Sequence, residues 1–226
     1  SGSLQLVENA TGEIMWAENG ILAKESSYEH SYDIDCAFSS DGETFGIFWY
    51  ERNVNQGSPY LQIVDIDGNR LLGENGQPVV DDPTGELTFS SYGNYIDSFQ
   101  DGFNLFWKSR SDPIFETTTQ FIAQRYVGLE PQWDDGQIIL EYSVTEGYPN
   151  LSDIVEDYYI WEGEDCDICV TRFNEDGSPA NGFTQTGINI SNLFGDNVLY
   201  RNAIKVSSGL LVFWQNRHND GQYMTY

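Results

Sequence analysis

Two short stretches combine residue types with a spacing that could do chemistry: Cys166-Asp167-Ile168-Cys169 and Asp65-Ile66-Asp67-Gly68-Asn69. A Cys-x-x-Cys pair has the spacing of half a zinc site or of a redox couple. The chain holds three cysteines, Cys36 being the third, so a second pair to complete a zinc site is missing. A redox pair is expected at the start of a helix, whereas Cys166 and Cys169 open an apolar, strand-like run. The spacing therefore predicts a local Cys166–Cys169 disulfide or plain free thiols, with metal or redox chemistry as the alternative. Asp65, Asp67 and Asn69 offer alternating oxygens that could wrap a calcium ion, and Asn174-x-Asp176 echoes them. Gly68 comes too early for an EF-hand loop and no bidentate Glu closes it, so an ordinary hairpin turn explains the Asp-Gly equally well. Calcium at Asp65, Asp67 and Asn69 is thus the one cofactor candidate, beside the expectation of none.

Other chemistries find less to work with. His30 and His218 are the only histidines and neither sits near a Ser or Cys motif, which argues against a hydrolase triad. No phosphate-cradling Gly loop is present. With 36 Asp and Glu, a carboxylate pair for glycoside hydrolysis is available in principle, but the separation that defines it is spatial. Against those acids stand 10 Lys and Arg, a formal charge of −26, which excludes nucleic acid and an anionic membrane surface as partners. No apolar run is long enough to span a bilayer. The charge fits a well-solvated secreted surface, calcium loading or a saline habitat. Asn9, Asn150 and Asn189 each head a glycosylation sequon, of a kind that arises by chance in an Asn- and Ser-rich chain.

The elements that would position such residues come from a repeat. Gly46-Ile47-Phe48-Trp49-Tyr50-Glu51-Arg52 returns as Phe106-Trp107, Ile160-Trp161 and Phe213-Trp214, with Arg three residues on at Arg52, Arg110 and Arg217. The steps are 107 − 49 = 58, 161 − 107 = 54 and 214 − 161 = 53. Glycines after each following strand keep the register at Gly20, Gly76, Gly136 and Gly182. Aromatic residues at 15% and 22 glycines suit short strands joined by tight turns, and no stretch has helical periodicity of useful length. Each unit of about 55 residues holds roughly four short strands, the content of one propeller blade.

Residues 1–226 therefore read as a single repeat domain with units at about 4–59, 60–120, 121–166 and 167–222 and a partial unit at the C-terminus. Trp49, Trp107, Trp161 and Trp214 are expected to bury large areas between neighbouring blades. Arg52, Arg110 and Arg217 would hold turn carbonyls or carboxylates at the strand ends. The alternative is a ring of Trp and Arg lining a sugar-binding face. The third unit departs most: Glu164 replaces the Arg, no Asp-Gly precedes Trp161, and an acidic stretch from Glu146 to Asp157 predicts a projecting loop or an eroded blade.

Asp41-Gly42 through Ile47-Phe48-Trp49, Arg52, Tyr60 to Val64, Asp65-Ile66-Asp67-Gly68-Asn69 and Leu72-x-x-x-Gly76 resemble the blades of secreted bacterial β-propeller repeat proteins. The likeness covers nearly the whole chain, and it implies a cell-surface or exported protein, often part of a larger modular chain. Ser39-Ser40-Asp41-Gly42-Glu43-Thr44-Phe45 also looks like the Asp box of sialidase-type propellers, though Gly42 follows Asp41 immediately instead of after one residue. In those enzymes the box is itself a structural turn. The expectation is thus an all-β, β-propeller-type fold of about four blades of four-stranded antiparallel sheet, acting without catalysis. It would sit outside the cell or on its surface and bind a protein or glycan, serve adhesion or build a surface layer. A carbohydrate-active propeller enzyme, glycosidase- or sialidase-like, and a filament or scaffold subunit are the rivals. Ser1-Gly2-Ser3 carries no initiator Met, and Leu4 to Val7 and Tyr223 to Tyr226 fall on the same strand of the unit. The chain is therefore expected to be part of a larger propeller, completed by further blades or by another chain.

Overall fold

Strands form where β-branched and aromatic residues lie between turn residues, and no helix occurs among the described residues. The computed structural model describes residues 3–6, 11, 13–16, 20–24, 30–52, 57–80, 88–89, 94–110, 118–133, 136–143, 150–163, 166–191, 198–217 and 223–225. An N-terminal pair, β1 (Ser3–Leu4) and β2 (Ile21–Leu22), is antiparallel with Leu4 opposite Ile21. The first sheet runs β3 (His30–Phe38), β4 (Thr44–Arg52), β5 (Gly57–Asp65), β6 (Gln77–Pro78) in chain order. In the second, β7 (Thr88–Phe89) and β8 (Tyr95–Phe99) both pair with β9 (Gly102–Arg110), which pairs with β10 (Thr118–Val127). Strand β10 pairs in turn with β11 (Glu130–Pro131) and β12 (Gln137–Ser143), so the first and last rows of this sheet are each in two pieces. The third sheet is β13 (Asn150–Val155), β14 (Tyr158–Gly163), β15 (Cys166–Arg172), β16 (Ile188–Asn189). The fourth is β17 (Val198–Val206), β18 (Gly209–Arg217), β19 (Tyr223–Thr225).

The sequence units that begin at 60, 121 and 167 start inside β5, β10 and β15, so each hydrogen-bonded sheet straddles two of them. The acidic stretch before Trp161 is corrected more sharply. Its described part is no projecting loop: Asn150–Val155 are the first strand of the third sheet, and Glu156-Asp157 make the hairpin turn into β14. Glu156 adopts a φ of 54°, in the left-handed region that Gly42 occupies in the turn of the first sheet.

Apolar residues run consecutively through β4, β9 and β14 because both faces of these strands are covered. One face of the second and third sheets packs on the sheet before and the other on the sheet after. Phe48 and Leu61 of the first sheet share a core with Leu105 and Trp107 of the second. Phe106 and Phe121 of the second meet Tyr159 and Trp161 of the third, and Ile160 and Val170 of the third meet Ala203 and Trp214 of the fourth. Trp49 turns back onto Ala23 and Trp16 beside the N-terminal pair. In each interface the repeat Trp faces the preceding unit, and Trp49, Trp107 and Trp161 are almost wholly buried. Each such indole contributes at most about 4–6 kcal/mol of apolar burial.

A second repeated device holds the outer strands. Gln62, buried in β5, accepts from the backbone N–H of Ile63 (3.1 Å) and Leu72 (3.0 Å) and donates to the Gly73 carbonyl (2.7 Å). Gln124 in β10 repeats this with Arg125 N, Trp133 N and the Trp133 carbonyl, and Gln5 accepts from Leu6 N and Trp16 N. In the third sheet Thr171 takes the place and donates to Thr184 O at 2.6 Å. One side chain thereby satisfies backbone groups that the very short fourth strand leaves unpaired.

The glycine that follows also needs correcting. A Cβ on Gly76 would lie 2.7 Å from Trp49 Cη2, on Gly136 3.1 Å from Trp107 Cη2, and on Gly187 2.5 Å from Trp161 Cη2, whereas Gly182 has nothing within 4 Å. Gly187, not Gly182, is the third sheet's counterpart, and the last step is 187 − 136 = 51.

Candidate functional site

Adjacent sheets are tied together at the end that carries the β8–β9 and β13–β14 hairpin turns. Ser40 N donates to Gln100 O (3.1 Å), Glu156 N to Asp97 Oδ2 (2.7 Å), and the Trp133 indole to Glu175 O (2.9 Å). The Trp16 indole makes the same bond to Ile66 O (3.0 Å) from the N-terminal pair. Burial raises the Asp97 carboxyl above the usual carboxylate range, although the Glu156 N–H bond pulls it the other way.

Between the second and third sheets these ties frame a cavity of about 570 Å³. Its walls are Phe99 and Gln100 from the β8–β9 turn, Asp157 from the β13–β14 turn, and Arg172 to Asp176 from the end of β15 and the turn beyond it. Arg125 of β10, 1% exposed, also lines it. Strand pairing sets Arg125 opposite Asn104, and its Nε donates to Asn104 Oδ1 at 3.0 Å. Its Nη1 reaches Asn174 O at 3.3 Å, and its guanidinium lies 3.9 Å from the Phe99 ring centre and 5.1 Å from that of Trp133. Nη2 has no hydrogen-bond partner, and neither does the buried hydroxyl of Tyr159 close by. Burial lowers the Arg125 pKa, opposed by Tyr159 and Asp157, and it raises that of the Tyr159 phenol, which therefore stays a neutral donor.

Asp157 answers different cations. Its Oδ2 accepts from Arg172 Nε, a bond that raises the Arg172 pKa, and its Oδ1 lies 3.5 Å from Lys205 Nζ. Lys205 also pairs with Glu156 at 3.1 Å and sits 4.7 Å above the Tyr158 ring. The cavity thus presents a cationic, aromatic floor under a polar rim of Asn174, Glu175 and Asp176. Gln100 and Glu156, the two non-glycine residues with positive φ among the described residues, are both at this end, where their turns meet.

The sequence candidates lie elsewhere. Trp49, Trp107 and Trp161 are buried between sheets, where their rings cannot line a sugar-binding face. Trp214 is half-buried against the third sheet. The side chains of Arg52, Arg110 and Arg217 lie outside the described residues, as do Glu164 and His218. Asp65 is engaged within its own turn: its Oδ1 accepts from Asn69 N (2.7 Å) and its Oδ2 from Asn69 Nδ2 (2.8 Å). Asp67 is exposed beside this turn. Asp41 and Asp176 are engaged in the same way, by the hydroxyls of Ser39 and Ser178. These bonds hold Asp41, Asp65 and Asp176 below the usual carboxylate range. Among the described residues no group of three His, Cys, Asp or Glu could hold a metal ion. Cys169 is disulfide-bonded and Cys36 carries a free, exposed thiol; the Cys166 side chain lies outside the described residues.

Arg125 and Arg172 were not singled out by the repeat, although a signal existed. Laying Leu61-Gln62-Ile63-Val64 on Ala123-Gln124-Arg125-Tyr126 places an arginine where the first unit has an isoleucine. No protein-family model, curated protein or solved structure matches this chain.

Proposed function

We propose that this chain is a β-propeller-type module, exported or displayed on a cell surface, that binds a glycan or protein partner without catalysis. The observation that carries the binding role is the cavity between the second and third sheets. There buried Arg125, aromatic Phe99 and Phe173 and a polar rim converge at the strand ends, in a volume suited to a small ligand or to the tip of a larger one. The repeated residues are used in stacking, so binding falls to the position where the units differ.

A propeller is supported by the way the sheets succeed one another. The first strands β3, β8, β13 and β17 lie next to one another in order, as strands about a common axis do, and equivalent residues recur at each sheet interface. The charge of −26 supports a solvated, external setting. Asp157, the carboxylate deepest in the cavity, is ion-paired to Arg172 and Lys205, an arrangement suited to holding a wall in place.

The test is a glycan and protein array probed with the whole chain, together with a polysaccharide hydrolysis screen. Saturable binding that is lost on altering the cavity supports the reading. Turnover of any polysaccharide replaces it with the enzyme, and assembly that grows with concentration in scattering, without ligand and without calcium, replaces it with the scaffold.

A further inference from the structure

Arg125 is a buried cation with no direct ion pair: Asp157 and Glu175 act on it only from beyond pairing distance, and the Tyr159 hydroxyl lies beside it. Among the described residues no carboxylate lies within ion-pair distance of it, and its contacts are the neutral Asn104 and Asn174 oxygens and two aromatic faces. Asp157, the buried acid of the cavity wall, is already paired with Arg172 and, at 3.5 Å, with Lys205. A buried charge without an ion pair is costly. The fold does not demand the charge. Ile63 occupies the same register in the first sheet, one residue after Gln62 and opposite Gly46, and it is fully buried. Arg125 lines the cavity, and its Nη2 is buried without a hydrogen-bond partner.

We infer that the cavity binds a small ligand through a carboxylate that pairs directly with Arg125, and that the ligand is an acidic sugar of the uronic acid type. A guanidinium and a carboxylate form strong charge-assisted hydrogen bonds. Phe99, half-buried with Arg125 on one face, lends the wall an apolar edge for a sugar ring, and Asn174, Glu175 and Asp176 offer acceptors for its hydroxyls at the mouth. The −26 charge of the chain repels extended polyanions, which favours a single terminal uronate over a polyuronate. This inference rests on the binding-module reading above and narrows it to one ligand chemistry.

Calorimetric titration of the full chain with glucuronate, glucose and acetate tests it. Glucuronate is expected to saturate the protein and to bind at least about tenfold more tightly than glucose, the factor that a charge-assisted hydrogen bond contributes. Acetate, which lacks the ring, is expected to bind more weakly than glucuronate. Acetate as tight as glucuronate overturns the sugar assignment. Equal affinity for glucose and glucuronate overturns the carboxylate and leaves the glycan-binding module standing. Binding of none of the three overturns the inference, while the array judges the module independently. Arg125→Met is expected to abolish glucuronate binding; it also leaves the buried Asn104 Oδ1 without its donor, so some loss of melting temperature accompanies it and binding is read on the folded variant. Should that variant not fold, Arg125→Lys keeps the charge but loses the fork and is expected to weaken binding by about tenfold. Glucuronate affinity unchanged in either variant overturns the inference.

Discussion

Gly187→Ala would push a Cβ into space that the Trp161 indole already fills. The new carbon would sit 2.5 Å from Cη2 and 2.7 Å from Cζ2, and Trp161 is buried on every side, so it cannot swing away. Overpacking of this kind costs about 1–3 kcal/mol. The backbone adds its own strain, since Gly187 has a φ of 78°, and a left-handed residue bearing a Cβ costs about 1–2 kcal/mol. The sum, about 2–5 kcal/mol, is a large share of the roughly 5–15 kcal/mol that holds a domain folded. Gly182→Ala is the matched control: its φ of 88° gives the same backbone strain, but nothing lies within 4 Å of the added carbon. That variant should lose only about 1–2 kcal/mol. Urea unfolding followed by tryptophan fluorescence measures both, and their difference isolates the indole contact. Equal losses, or a larger loss at Gly182, would refute the packing assignment and return the repeat glycine to the Asn181-Gly182 turn.

Four further outcomes are expected. Gln62→Leu removes the bracket around Leu72 N and Gly73 O at a fully buried position, costing about 1–3 kcal/mol for each group orphaned; Gln5→Leu, at an exposed bracket, should cost under about 1 kcal/mol, and matching losses in denaturant unfolding would contradict this. Asp97 has a raised pKa in the folded state, so the stability linked to its protonation is complete below its unfolded value of about 3.9 and is lost as pH rises through the folded one. Asp97→Asn, which keeps an acceptor for Glu156 N, should therefore raise the melting temperature at neutral pH and lose that advantage in acid; a gain that persists at pH 3 to 4 would contradict the burial argument. Thiol titration of the unfolded, unreduced chain should find one free group, Cys36, and three after reduction. Three before reduction would deny the disulfide. In the native chain, burial and the Asp35 charge push the Cys36 thiol up, so its alkylation at neutral pH should be slower than that of free cysteine.

Trp spacing made the strand order legible because a large apolar ring between two sheets admits no substitute, and the same demand recurs at every interface. The all-β composition and the positions of β4, β9, β14 and β18 follow from it. The register of the third sheet was harder. Asn181-Gly182 has the stronger local turn signal, yet the chain makes two successive turns there, with Phe183 N bonded to Ala180 O and Gly187 N to Thr184 O. Only the second brings a glycine to the indole. The acidic stretch before Trp161 misled for a related reason. Asp153 looks like a loop residue, but pairing with β14 decides its conformation and outweighs weak strand propensity. The cavity was invisible because its walls come from four separate segments, and because a lone arginine in an apolar strand looks like surface until its neighbours are known.

That every repeat indole faces the preceding sheet gives the molecule a direction. A newly made sheet finds its aromatic socket already built, while the sheet before it need not wait for its successor. Assembly can then keep pace with synthesis, each unit setting onto a finished neighbour as it leaves the ribosome. Damage should propagate the same way: loosening Trp107 would unfasten the second sheet from the first and leave later contacts to hold only among themselves.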